Sequence, residues 1–341
     1  GSRLFTQSMM NTRAVATPGR HLPTFLERPS PVQLDSLPLT LNGLVAEYNQ
    51  GGYLLPAFLD AGFYNIITAF PNRGNSTYHG LAAEATRRFA RGALFKAAYT
   101  WSKTIDDSTA ELSSTLLSPR RAQDSQDMRL ERSRSFLDRT HRFSFAWVQE
   151  SWWFERSPNW LARNLAGKWV LSGAYIAESP QYATVQSGID SNMNLDSASD
   201  RVIVNPAGAA NIGSDVSPLV NSRGQVVAYL ATDPNARYIK AGRGAYPTGG
   251  RQTLPLRGID NWTISLAKRF SLRESHTLEF RLNVYNLYNH PQYTPGYINL
   301  VAASPTRTRN HLIPGHPLFN DPTQVYSSNP RNLQLAARYV F

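Results

Sequence analysis

The 341-residue chain contains no cysteine. That absence removes disulfides, thiolate nucleophiles and cysteine-ligated metal centres, and it leaves the redox compartment open. No run of about 18 apolar residues occurs anywhere, so no helix of this chain spans a bilayer. Any membrane crossing must therefore use strands. The seven histidines include no HExxH pair, and the glycines at 242, 244, 249 and 250 lack the preceding strand and following helix that phosphate binding needs. Asp106, Asp107 and Glu111 read as a solvated rim in a charge-balanced stretch rather than as paired catalytic carboxylates. No catalytic constellation, cofactor motif or metal motif is left, and the chain reads as a non-enzyme.

The formal charge of +11 raises the question of nucleic acid, but the 35 Lys and Arg are scattered among 24 acidic residues, with no basic helix. Nucleic acid is therefore not an expected partner; anionic lipid head groups are. Present in quantity are aromatics, 16 Tyr, 15 Phe and 7 Trp. Amphipathic rings in such number suit a protein with interfaces to line.

Period-2 alternation marks seven strands, near residues 77–89, 93–102, 141–150, 168–178, 261–270, 277–288 and 332–341. Each has one apolar and one polar face. In the last, Leu333, Leu335, Ala337, Tyr339 and Phe341 share one side, and Asn332, Gln334, Ala336 and Arg338 the other. The strands are joined by connections that alternate between long and short: 1–75, 90–92, 103–139, 151–166, 179–258, 271–275 and 289–331. A soluble sandwich has no reason to sort its loops this way. A transmembrane barrel does, with tight turns on the periplasmic rim and long loops outside. The fold class read from the sequence is thus all-β, an antiparallel transmembrane β-barrel of about seven strands with long extracellular loops. Residues 1–75 are expected to be one long irregular loop region, and 76–341 the barrel part.

Alternation also assigns the faces. Phe95, Tyr99, Trp101, Phe143, Phe145, Trp147, Trp169, Tyr175, Trp262 and Phe280 are expected to face lipid, and Glu84, Lys96, Glu279, Arg281 and Arg338 the lumen. Tyr285, Asn286, Tyr288, Asn289 and His290 read as an interface girdle with a turn. Ligand specificity is expected in the long loops, chiefly 179–258.

Several segments carry a family resemblance: STYHGLAAEATRRFARGALFKAAYTWSKTIDD (76–107), DRTHRF (138–143), KWVLSGAYIAESP (168–180), TLPLRG (253–258), LEFRLNVYNLYNHP (278–291) and the terminal RYVF. As a set they resemble the C-terminal half of an Oar-like TonB-dependent receptor. The resemblance implies a 22-strand outer-membrane barrel of a Gram-negative bacterium, filled by an N-terminal plug, and energised uptake of a large ligand by the full-length parent. It implies outer-membrane lipid, the barrel-insertion machinery, TonB acting through the plug, and an extracellular ligand as partners. Tyr339 and Phe341 would then belong to the membrane-insertion signal. Seven is an odd count and no plug or TonB box is visible, so the chain is expected to be the C-terminal portion of such a barrel. In the family a similar Gly-Ser-Arg leaves the end of an outgoing strand. A passive porin, and a surface protein assembling through unpaired strand edges, are the other classes the pattern admits.

Overall fold

The computed structural model describes all residues except 1, 5, 91, 108–120, 152–153, 155–156, 198–199, 274–275, 294–309, 322 and 324–327. Eight strands form one antiparallel meander: β1 (Ser2–Leu4), β2 (Gly74–Ala90), β3 (Ala93–Asp106), β4 (His141–Glu150), β5 (Trp169–Glu178), β6 (Ile259–Arg273), β7 (His276–Tyr285) and β8 (Asn332–Val340). Every strand pairs with its neighbours in chain order. A two-residue strand, Ser133–Arg134, adds to the outer end of β3. Among the described residues β1 and β8 pair on one side only, so the sheet is open.

Three strands outrun their apolar alternation. β2, β3 and β6 are 17, 14 and 15 residues long, and β2 and β3 stay paired from Ala85↔Ala97 out to Ser76↔Asp106. Polar residues such as Lys103 and Thr104 continue the ladder there, because a ladder above the bilayer needs no apolar face. β7 ends early, at Tyr285, where Asn286 takes a left-handed conformation (φ 51°).

The alternation of connections holds in three dimensions. Residues 5–73, 107–140, 179–258 and 286–331 join strands at one end of the sheet, and the shorter connections 91–92, 151–168 and 274–275 join them at the other. Gly92 needs its left-handed φ of 73°, and a Cβ there would meet the Glu150 carbonyl at 2.4 Å.

The expectations of about seven strands and of an irregular 1–75 region are both corrected. Nineteen strands occur among the described residues, most of the extra ones inside the long connections, and β1 lies within the stretch read as loop. Residues 31–35, 41–49 and 56–60 are helical, the first two capped by the side chains of Ser30 and Thr40. These elements are two to nine residues long and pair across the sequence. Thr24–Phe25 joins Tyr229–Leu230, and Ile203–Val204 joins Tyr238–Ile239. A local period does not register on so short a run.

The apolar core lies in the connections. One cluster gathers Ala183, Val185, Val202, Tyr238, Leu254 and Leu312; a second gathers Val15, Leu22, Leu44, Met193, Tyr229, Ala241 and Ala245; a third gathers Leu34, Leu219, Val227 and Ala228. All four long connections contribute, with Phe136 of 107–140 packed against the first cluster. They form one folded cap. Among the described residues Ala267 is the only buried apolar residue of the eight-stranded sheet.

Candidate functional site

Cross-strand register decides which side chains share a face. Phe95 lies opposite Trp147, Trp147 opposite Gly173, Gly173 opposite Ile264, Ile264 opposite Val284, and Val284 opposite Leu333. A second row runs Phe145, Tyr175, Trp262, and a third Trp169, Lys268, Phe280, Ala337. Tyr99 lies opposite Phe143, and Trp101 opposite Leu81. All ten residues expected to face lipid are thus on one face of one sheet. Leu81, Leu333 and Leu335 on that face are 66%, 67% and 82% exposed, so no protein covers it. Gly173 leaves room for its neighbours: a Cβ there would come within about 3.0 Å of Trp147 Nε1 and Ile264 Cδ1.

The opposite face is small and polar in its middle rows, Ala98, Ser144, Ala174, Ser172 and Ser265, and charged near the short turns. Lys96 Nζ meets Glu84 Oε1 at 3.0 Å. Glu279 accepts from Arg269 Nε and from an Arg281 terminal nitrogen, each at 2.8 Å, and lies opposite Arg338. The five residues expected to face the lumen all fall here.

Aromatic residues collect at both ends of the apolar face. Tyr175 stacks on Trp262 (centroids 4.4 Å) at the cap end, where Tyr99 Oη and His141 Nδ1 are 2.7 Å apart. At the other end Tyr339 Oη lies 2.6 Å from His276 Nδ1, and the Tyr339 ring stacks on His276 and on the exposed Phe341. From Trp262 to Phe270 is about 26 Å along β6 at ~3.3 Å per residue, close to the height of an apolar band between two interfacial girdles.

Lys268 is a charge on the apolar face that the alternation of Trp262, Ile264, Leu266 and Phe270 passes over. Its ammonium turns to the rim, donating to the Leu165 and Gly167 carbonyls and lying over the Trp169 ring at 4.7 Å. A long stem buried in an apolar surface with its charge carried to the interface is snorkelling.

Within the cap, Arg201 is 2% exposed and holds both Glu131 oxygens at 3.0 Å. Arg251 reaches Glu131 Oε2 at 3.3 Å and Asp106 Oδ1 at 2.5 Å, and Gln123 Oε1 accepts from Arg201 Nε. This cluster fastens the end of β3 to the second and third long connections. The solvated-rim reading of Asp106 is therefore corrected: it is 8% exposed and paired, because the folded cap brings Arg251 onto it from across the sequence. Glu111 lies outside the described residues. Burial pushes the Asp124 and Asp200 carboxyls above the usual range, Asp200 well above it.

The family model described as outer membrane beta barrel domain matches residues 2–334. The chain belongs to this family. No curated protein and no solved structure matches the chain. As an outer-membrane β-barrel domain it resides in the outer membrane of a Gram-negative bacterium, and its uncovered apolar face has a solvent to match.

In this barrel domain Tyr285 ends β7 and the chain turns over 286–290. Asn286 donates to the His290 carbonyl (2.9 Å) and accepts from the His290 N–H (3.0 Å), while Asn289 Oδ1 accepts from the Arg331 N–H. Sequence reading misses the Arg201–Glu131–Arg251 cluster, since nothing local distinguishes those residues from solvated charges. It also passes over Lys268, although parity places that residue on the apolar face.

Proposed function

We propose that the chain is the barrel and surface-cap portion of an energised outer-membrane receptor of the Oar-like, TonB-dependent type, a binding and transport protein rather than an enzyme. The observation that carries the reading is the cap. Four long connections from one end of the sheet fold into a packed unit with three apolar clusters and a buried ion cluster. A passive pore needs only to keep its mouth clear, whereas a receptor needs a rigid surface on which a large ligand docks. In this reading the apolar face meets outer-membrane lipid, the charged face lines the lumen, and Tyr339 with Phe341 is read by the insertion machinery. TonB acts through the parent's plug, and the extracellular ligand meets the cap.

The test uses the full-length parent purified in detergent. A receptor binds the periplasmic domain of TonB saturably and stays closed to ions in a planar bilayer. Steady conductance with no TonB binding is the outcome of the porin reading and overturns the proposal. Ordered filaments or sheets from membranes would support assembly through strand edges instead.

A further inference from the structure

In the third long connection the sequence Asp190-Ser191-Asn192-Met193-Asn194-Leu195-Asp196 places an oxygen-bearing side chain at every second position, and Asp200 follows. The loop is curled back on itself. Asp190 Oδ1 accepts from the Asn194 N–H and its Oδ2 from the Leu195 N–H, each at 2.9 Å, while Asn194 Oδ1 accepts from the Asp196 N–H. Met193 and Leu195 hold left-handed conformations (φ 61° and 73°), which side-chain-bearing residues rarely adopt. Asp200 Oδ2 accepts from the Ser191 and Asn192 N–H groups, so its carboxylate sits inside the same curl.

Two oxygens there have no donor. They are Asn192 Oδ1 and Asp200 Oδ1, on residues that are both 0% exposed. The Nδ2 atoms of Asn192 and Asn194 both donate to the Gln123 carbonyl at 2.9 Å, which turns their amide oxygens away from Gln123. Of the nearby guanidinium groups, Arg121 pairs with Asp196 and Arg201 with Glu131, while Arg243, whose charge acts on Asp190, lies over the Tyr48 ring at 5.4 Å. Asp200 has no cationic side chain at ion-pair distance among the described residues. A buried carboxylate without counter-charge either holds a proton, the direction in which burial pushes Asp200, or meets a cation.

We propose that this loop is a calcium site, with side-chain oxygens of Asp190, Asn192, Asn194 and Asp200 as ligands. The donors are all oxygen and half of them are neutral amides, which suits a hard cation rather than zinc or copper. No group of three or more His, Asp or Glu that would hold a metal occurs among the described residues; here two carboxylates are supplemented by amide oxygens. Magnesium demands near-ideal octahedral geometry, whereas calcium accepts the irregular, flexible arrangement of oxygens that such a curl offers. The spacing D-x-N-x-N follows the calcium loop of helix–loop–helix proteins, and Leu195 at the sixth position carries the positive φ that glycine usually provides there. It departs from that loop at the end, where Arg201 replaces the bidentate glutamate and Asp200, one residue earlier, brings the carboxylate. Binding would lock the third connection to Gln123 of the second, next to the Arg201–Glu131 cluster.

The proposal is tested on the full-length parent in detergent by limited proteolysis of the cap, in calcium chloride, in magnesium chloride and in EGTA. Extracellular calcium modules bind at about 10⁻⁴–10⁻³ M, so 10 mM calcium should slow cleavage within 179–258 by roughly 10- to 100-fold relative to EGTA. Magnesium at the same concentration should do far less. Asp200→Asn keeps the side-chain shape and an oxygen for the Ser191 and Asn192 N–H groups; it should resist protease in EGTA at least as well as the wild type and lose the calcium response. Asp190→Asn gives a second reading should Asp200→Asn fail to fold. No calcium effect on the wild type, an equal effect of magnesium, or an undiminished response in the folded variants overturns the proposal.

Discussion

At the scale of single residues, the buried charges of the cap are its most sensitive points. Glu131 is fully buried; its carboxylate takes hydrogen bonds from Arg201 and the Gln123 N–H and an ion pair from Arg251, whose Nε donates to the Glu131 carbonyl. Arg201→Ala removes its bidentate partner and leaves the carboxylate partly uncompensated, at a cost of ~3–5 kcal/mol. Pairing it with Glu131→Gln should recover part of that loss, because the uncompensated charge goes too. Protease susceptibility of the cap in the four variants of the cycle is the measurement, and strict additivity would contradict the coupling. A second residue sets an alkaline limit. Burial pushes the Tyr229 hydroxyl, which donates to the Arg243 carbonyl, up to about 12 from the usual 10.0. The folded cap keeps that proton after the unfolded chain has lost it, so its contribution to stability is fully present below pH 10 and is lost as pH rises through about 12. Tyr229→Phe should therefore lose stability less steeply than the wild type across that window, read by melting temperature against pH; parallel curves would contradict it.

At the scale of the element, register is the property that matters. One-residue displacement of any strand would carry its apolar set to the charged face, and the row from Phe95 to Leu333 fixes six strands against it. Ile264 and Ser265 are adjacent in the middle of β6 but on opposite faces. Ile264→Arg should destabilise the barrel by ~2–4 kcal/mol, the cost of a basic side chain at mid-bilayer depth, whereas Ser265→Arg should change stability little. Reversible unfolding of the parent in lipid vesicles compares them, and equal costs would mean that the face assignment is wrong. Lys268 is tolerated on the same face as Ile264 because it lies four residues nearer the short-turn rim, where its ammonium reaches the Leu165 and Gly167 carbonyls.

For the molecule as a whole, the open sheet is decisive. The free sides of β1 and β8 present backbone groups without partners among the described residues. In hydrocarbon each such group costs roughly several kcal/mol. Residues 1–341 refolded by themselves into detergent should therefore run on a gel without a compact, heat-modifiable monomer band, whereas the larger barrel proposed above would show one. A heat-modifiable monomer from residues 1–341 would mean that β8 closes onto β1. The cap has its own consequence at this scale. Because 179–258 supplies residues to all three apolar clusters, exchanging it whole would dismantle the cap, so ligand specificity is better probed at its exposed positions.

The sequence by itself determined the strand-built membrane fold, the sorting of long and short connections, and the two faces of every strand. Those features rest on a period of two and on chain length between turns, both local, and the bilayer enforces them because one face must be apolar along the whole crossing. His141–Glu150 shows how far this reaches, since the alternation and the observed strand coincide residue for residue. Only the tertiary structure decided that the long connections form a single cap, that Asp106 is buried against Arg251, and that Asp200 and Asn192 each bury a side-chain oxygen without a donor. Their partners lie 145 residues away in the first case, and in the second the burial comes from other connections packing around the loop. A charge in an irregular stretch reads as solvated until something folds over it, and no local pattern says what will.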